Sequence, residues 1–206
     1  MKEMLRDVEA YFANKVKEHG ATHAGVDFAT PAAQTVRFEQ LVKVIDGAEP
    51  FSVNDYGSGY GALAEFLAAR WSEFTYCGFD ISEAMRSQGE ALYGGDARVR
   101  FVGDRADLIP ADYTVASGTF NMKLGFDPVQ WQRYVLEEVA QMAEVSTRGF
   151  AFNLLTSYSD PERMRDDLYY GDPLFYFDHC KRHYSKNVAL LHDYNGYDFT
   201  IVVRLA

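Results

Sequence analysis

The chain has 206 residues, 48% hydrophobic and 24% charged, enough for one α/β domain with its own core and too few for two full-sized catalytic domains. Thirty acidic against twenty basic side chains leave a formal charge of −10, which repels a phosphate backbone and argues against a nucleic-acid partner. Two cysteines, Cys77 and Cys180, suggest neither a disulfide framework nor a paired-cysteine metal site, so a reducing, cytoplasmic setting is expected.

The opening segment, MKEMLRDVEAYFANKVKEHG, lacks the uninterrupted apolar core of a signal peptide, and no run reaches the roughly 18 apolar residues of a membrane span. Leu5, Val8, Phe12 and Val16 share a face at helical spacing, which predicts an amphipathic helix packed on its own domain rather than on a membrane. GATHAGVDFAT reads as a loop. Thr30 before Pro31 is an N-cap followed by proline at the first helical position, predicting a helix from about Pro31 to Ile45. The same device at Asp127-Pro128, Asp160-Pro161 and Asp172-Pro173 predicts three further helix starts. Between the helical segments lie β-rich runs at 51–55, 74–79, 97–102, 112–117 and 148–155, the alternation of a mainly parallel sheet covered on both faces. The ending differs: runs at 187–193 and 198–205 flank Asn195-Gly196, which predicts an antiparallel hairpin.

The stretch FSVNDYGSGYGALAEFL places Gly57, Gly59 and Gly61 between a strand and a helical pattern. Glycine there permits positive φ and lets a ligand approach without meeting a Cβ, while the helix start favours negative charge. Gly57, Gly59 and Ala62 also satisfy the loose dinucleotide pattern, which taken alone is weak. Two later strand ends add to it. Asp80 closes YCGFD 21 positions after Gly59, where a carboxylate can accept from both hydroxyls of a ribose, and Gly103-Asp104 brings a second carboxylate to the adenine side.

With these motifs the chain resembles the class I S-adenosylmethionine-dependent methyltransferases over about residues 31–206. DYGSGYG matches the family's first motif, Asp80 its ribose position, Asp104 its adenine position, and Ile81 is similar to the apolar residue that packs on adenine. Blocks such as VDFATPAAQTVRFEQL, ASGTFNMKL, AFNLLTSY and LHDYNGYDFT resemble a small bacterial branch of that family. The resemblance implies a Rossmann-like three-layer α/β sandwich, with a seven-stranded, mostly parallel sheet ending in the hairpin. It implies a single domain, 1–206, whose N-terminal helices within 1–47 cover the active site. It also implies S-adenosylmethionine as cofactor, held by Asp55, Gly57, Ser58, Gly59, Asp80, Ile81, Gly103, Asp104, Arg105, Ser117 and Gly118, with S-adenosylhomocysteine as product.

The acceptor is expected to be a small molecule beyond the carboxyl ends of strands four and five. Thr119, Phe120 and Asn121 follow strand four, and Asn153, Thr156, Ser157 and Tyr158 end strand five. Tyr11, His23, Gln34 and Arg37 are candidates from the covering segments, with Phe38 and Leu41 anchoring the face that Gln34 and Arg37 share. Arg37 would hold the cofactor's carboxylate or an anionic substrate. Tyr169 and Tyr170 would contribute to the wall, and His23 or Tyr158 would take a proton where the acceptor must lose one. His19 with His23 and His179 with His183 have helical spacing but no HExxH glutamate or third ligand, so no metal is expected. The alternatives are a nicotinamide-dependent oxidoreductase and a noncatalytic adenosine-binding module.

Overall fold

The computed structural model describes residues 2–47, 49–194 and 196–205. The helices are α1 (Lys2–His19), α2 (Pro31–Leu41), α3 (Ala62–Ala68), α4 (Glu83–Tyr93), α5 (Pro128–Glu144) and α6 (Pro173–His183). They alternate with β1 (Phe51–Tyr56), β2 (Phe74–Phe79), β3 (Val99–Val102), β4 (Ala111–Ala116), β5 (Ser146–Thr156), β6 (Tyr170–Gly171), β7 (Asn187–Leu191) and β8 (Asp198–Arg204).

The sheet runs β3-β2-β1-β4-β5-β8-β7, with β6 paired to the last two residues of β5 off this path. All pairings among β1 to β6 are parallel, whereas β8 lies antiparallel between β5 and β7. This inserted strand departs from the 3-2-1-4-5-6 order of the dinucleotide-binding fold. Asn195, half of the expected turn, lies outside the described residues; the expected hairpin forms with β7 and β8 as its arms. The chain order reverses between β1 and β4, so a crevice opens at their carboxyl ends.

Alternation along the strands sorts side chains into two cores. Val53, Tyr76, Val115, Ala151 and Val202 pack with Phe38, Leu41, Leu63 and Leu67 of α2 and α3. Tyr56, Phe79, Ala116, Phe150, Phe152 and Ile201 pack on the other face with Trp131, Val135 and Val139 of α5. Each fully buried aromatic or branched side chain contributes about 1.5–3 kcal/mol. Met4 and Val8 join the second core, which draws α1 down beside α4.

Thr30, Asp127 and Asp172 cap α2, α5 and α6 through their side-chain oxygens. Asp160 does not: its carboxylate accepts from the Tyr197 hydroxyl (2.5 Å), and Pro161–Arg163 makes only one 3-10 turn. Helix α2 stops at Leu41 instead of Ile45. Val42–Val44 tightens to a 3-10 turn because Ile45 is already extended as the chain swings toward β1. No described helix is long and apolar enough to cross a membrane.

Candidate active site

The turn after β1 is tied to the end of β2, since Gly57 N–H and Ser58 N–H both donate to Phe79 O (2.8 and 2.9 Å). Gly57 and Gly59 have φ of +75° and +56°, the left-handed region that other residues avoid. Space is short too: a Cβ on Gly57 would lie 2.3 Å from Thr119 Cγ2, and one on Gly59 would lie 2.7 Å from Val26 Cγ1. The turn is thus wedged between the segment after β4 and the loop before α2.

Over this turn opens a cavity of about 650 Å³ at the carboxyl ends of β1, β2, β3 and β4. The eleven residues expected to form the cofactor site border it, namely Asp55, Gly57, Ser58, Gly59, Asp80, Ile81, Gly103, Asp104, Arg105, Ser117 and Gly118, whereas Arg37, the expected holder of the cofactor's carboxylate or of an anionic substrate, does not. Asp80 Oδ2 accepts from Gly59 N–H and Oδ1 from Ser82 N–H, both at 2.8 Å. Those bonds fix the carboxylate and use about two of its four lone-pair positions, leaving room for two donors such as ribose hydroxyls. Ser117 Oγ is buried at the same wall with no partner, so the polar surface fits an adenosine-bearing ligand. Burial raises the pKa of Asp80, opposed by its backbone donors. Burial also pushes Asp55, 3% exposed, up to about 7, with the Tyr76 hydroxyl bond (2.7 Å) acting against the rise and Asp80 adding to it. Asp104 Oδ1 holds Ala106 N–H (2.9 Å).

The cavity has walls that the motifs did not indicate. Leu5, Val8 and Phe12 of α1, Val26 and Phe28 of the following loop, and Tyr134, Glu137 and Glu138 of α5 all border it. Glu138 is 7% exposed, accepts from the Tyr56 hydroxyl (2.5 Å) and pairs with Arg105 (3.2 Å). Burial raises its pKa. A signal existed: Trp131, Val135, Glu138 and Met142 occupy the buried stripe of α5, and a carboxylate in such a stripe is unusual.

Of the expected substrate residues, Gln34 and Thr119 border the cavity. The others are engaged elsewhere. The Tyr11 hydroxyl donates to Asp27 (3.0 Å), itself paired with Lys15. Arg37 forms an ion pair with Asp198 and donates to Ala33 O (2.7 Å). Asn121 Oδ1 accepts from Leu155 N–H (3.0 Å), joining the segment after β4 to β5. Tyr158 is 67% exposed, with its ring against His192. The Tyr170 hydroxyl accepts from Arg165 N–H, and Tyr169 pairs with Tyr176 in the core. His23 does not border the cavity; its backbone carbonyl accepts from Phe28 N–H (2.8 Å) and shapes the loop. Phe120 is buried beneath α5, where its carbonyl accepts from Trp131 Nε1 (2.7 Å). The His179 and His183 rings stack at 4.2 Å, and no group of three metal-ligating side chains occurs among the described residues.

No family model matches the chain. It is 47% identical over 165 residues, 80% of its own length and 99% of the other's, to the protein named "Putative methyltransferase Rv1506c" of Mycobacterium tuberculosis. The fold is similar to that of magnesium protoporphyrin IX methyltransferase from Synechocystis PCC 6803 with bound S-adenosylmethionine, with a TM-score of 0.70 and 15% identity over 98% of this chain and 97% of that one. It is similar also to DhpI in complex with S-adenosylhomocysteine, with a TM-score of 0.65 and 14% identity over 98% and 97%.

Proposed function

The chain belongs to the class I S-adenosylmethionine-dependent methyltransferases, and from that premise we propose that it methylates a small molecule held at the carboxyl ends of β4 and β5. The observation that carries the reading is the convergence of the glycine turn, Asp80 and Gly103–Arg105 on one cavity. In this reading Asp80 holds the ribose, Ile81 and Asp104 flank the adenine, and Asp55, Ser117 and Gly118 border the amino-acid end.

When bound, the cofactor supplies a methyl carbon on a positive sulfonium leaving group. The protein's task is then alignment and exclusion of water more than strong base catalysis. In this reading Leu5, Val8 and Phe12 with Val26 and Phe28 serve the exclusion, in support of residues 1–47 as the cover of a single domain, 1–206. Asn121 acts by positioning the segment after β4. The net charge of −10 supports a reading without nucleic acid, and two buried free cysteines support a cytoplasmic one.

Calorimetric titration with S-adenosylhomocysteine tests this. Wild-type protein should bind saturably, and Asp80→Ala should weaken binding about a hundredfold, close to 3 kcal/mol for a charge-assisted pair of bonds. Saturable nicotinamide binding in its place would favour an oxidoreductase. Binding of S-adenosylhomocysteine without turnover of any acceptor would favour an adenosine-binding module.

A further inference from the structure

Behind the cavity, under α2, lies a cluster of buried polar groups that does not border it. Arg37 Nε, Asn153 Nδ2 and Asp198 Oδ1 are buried there without hydrogen-bond partners, as Ser117 Oγ is at the adjoining wall. Asn153 is 0% and Asp198 2% exposed. The ion pair is one-armed: Arg37 Nη2 meets Asp198 Oδ2, Nη1 is spent on Ala33 O, and the flanking Nε and Oδ1 are left over, where a two-armed pair would have satisfied both. Asn153 lies opposite Thr200 and so diagonal to Asp198 on the same sheet face, within reach across the β5–β8 ladder. Its Oδ1 accepts from Gly118 N–H (2.6 Å), which ties the cluster to the cavity wall. On the other side the Tyr194 hydroxyl meets Thr200 Oγ1 (3.0 Å).

Phe28 separates cluster from cavity. Its ring borders the cavity, carries the Arg37 guanidinium at 4.9 Å, and lies so close to Gly118 that a Cβ there would be 3.1 Å from Phe28 Cζ. Withdrawal of this side chain would expose the cluster to the cavity.

Resting on the methyltransferase reading above, we propose that Arg37, Asn153 and Asp198 anchor the acceptor, and that the acceptor is a neutral polyhydroxylated compound of the sugar or polyol class. The unmet atoms of the cluster are two donors, Arg37 Nε and Asn153 Nδ2, and one acceptor oxygen, Asp198 Oδ1. A carboxylate offers only acceptors and would set like charge against Asp198, whereas an ammonium offers only donors and would leave Nε and Nδ2 unmet. Neighbouring hydroxyls each donate and accept, so they answer the whole set where a carboxylate or an ammonium does not. In the transfer, the carbon–sulfur bond breaks with its electron pair kept by sulfur. A carbon–oxygen bond forms at one hydroxyl, whose proton leaves to solvent.

The test incubates full-length protein and S-adenosylmethionine with three panels, methyl glycosides, simple carboxylates and primary amines, and measures S-adenosylhomocysteine formed. Turnover with glycosides alone is the expected result; turnover with carboxylates or amines instead, or with no glycoside, overturns the proposal. For a reactive glycoside, Asn153→Leu and Arg37→Met should raise KM at least about tenfold, with affinity for S-adenosylhomocysteine within about twofold of wild type. Asn153→Ser and Arg37→Lys serve where the larger changes impair folding, and the same rise in KM is expected. An unchanged KM in these variants would make the cluster a structural tie between α2 and β8 and overturn the proposal. Failure of the wild type to bind S-adenosylhomocysteine would instead remove the cofactor reading on which this one stands.

Discussion

The edge of the cavity and the edge of the sheet behind it are made differently. At the ends of β1 and β2 the bordering residues follow their strands within a few positions, and backbone groups join them: Gly57 and Ser58 N–H to Phe79 O, and Gly59 N–H to Asp80. Behind Phe28, at the ends of β5 and β8 and outside the cavity lining, the joining groups are side chains from distant parts of the chain, with Arg37 and Asp198 separated by 161 positions. A backbone-built edge tolerates few substitutions because its geometry is set by φ, whereas an edge built from side chains can change its chemistry without disturbing the first. One scaffold can therefore keep its donor and vary its acceptor.

This contrast can be broken most forcefully at Asp55. Its carboxyl is held near 7 against an ordinary 3.8, so between those values the folded chain keeps a proton that the unfolded chain has lost. The resulting stability is fully present below about pH 4 and disappears as pH rises through 7, on the order of 4 kcal/mol in total. Asp80, Glu138 and Asp198 are raised by burial as well and act with the same sign. Urea unfolding of cofactor-free protein should show stability falling between about pH 4 and 7, and Asp55→Asn should flatten that fall. A stability that climbs over the same interval would remove the buried-acid description of this edge.

Gly59→Val is expected to have the next largest effect. A branched side chain at φ +56° costs about 1–2 kcal/mol and collides with Val26, so affinity for S-adenosylhomocysteine should drop about tenfold while far-ultraviolet circular dichroism stays that of the wild type. Wild-type affinity would show that the turn tolerates a side chain. The smallest effect belongs to Asn121→Ala, which forfeits the bond to Leu155 N–H: about 1 kcal/mol of stability and a changed turnover, with cofactor affinity unmoved. A loss of cofactor affinity as large as that at Gly59 would erase the distinction between the edges.

Legibility in the sequence follows the same division. Capping at Thr30, Asp127 and Asp172 was readable because a cap is a contact within three residues, while Asp160 presents the same signal and spends its carboxylate on Tyr197, 37 positions away. The end of α2 was displaced by the swing into β1, and the two-residue β6 is too short to carry any periodicity. Val26 and Phe28 lie in an irregular loop, where no spacing says which side chain faces inward. Tyr11, His23, Asn121, Tyr158 and Tyr170 have the chemistry of site residues but do not border the cavity, and residue type alone cannot reveal that.

The amino-acid order by itself determined the alternation of strands and helices, the antiparallel ending and the glycine turn with its two downstream carboxylates, since all of these rest on periodicity, φ preference and contacts between near neighbours. Tertiary packing alone decided that Glu138 faces the cavity, that Phe28 stands between it and the Arg37–Asp198 pair, and that Asn153 reaches Gly118. Those placements depend on which strands become neighbours in the sheet and on how the N-terminal segments close over its edge, and no local pattern of residue types encodes either.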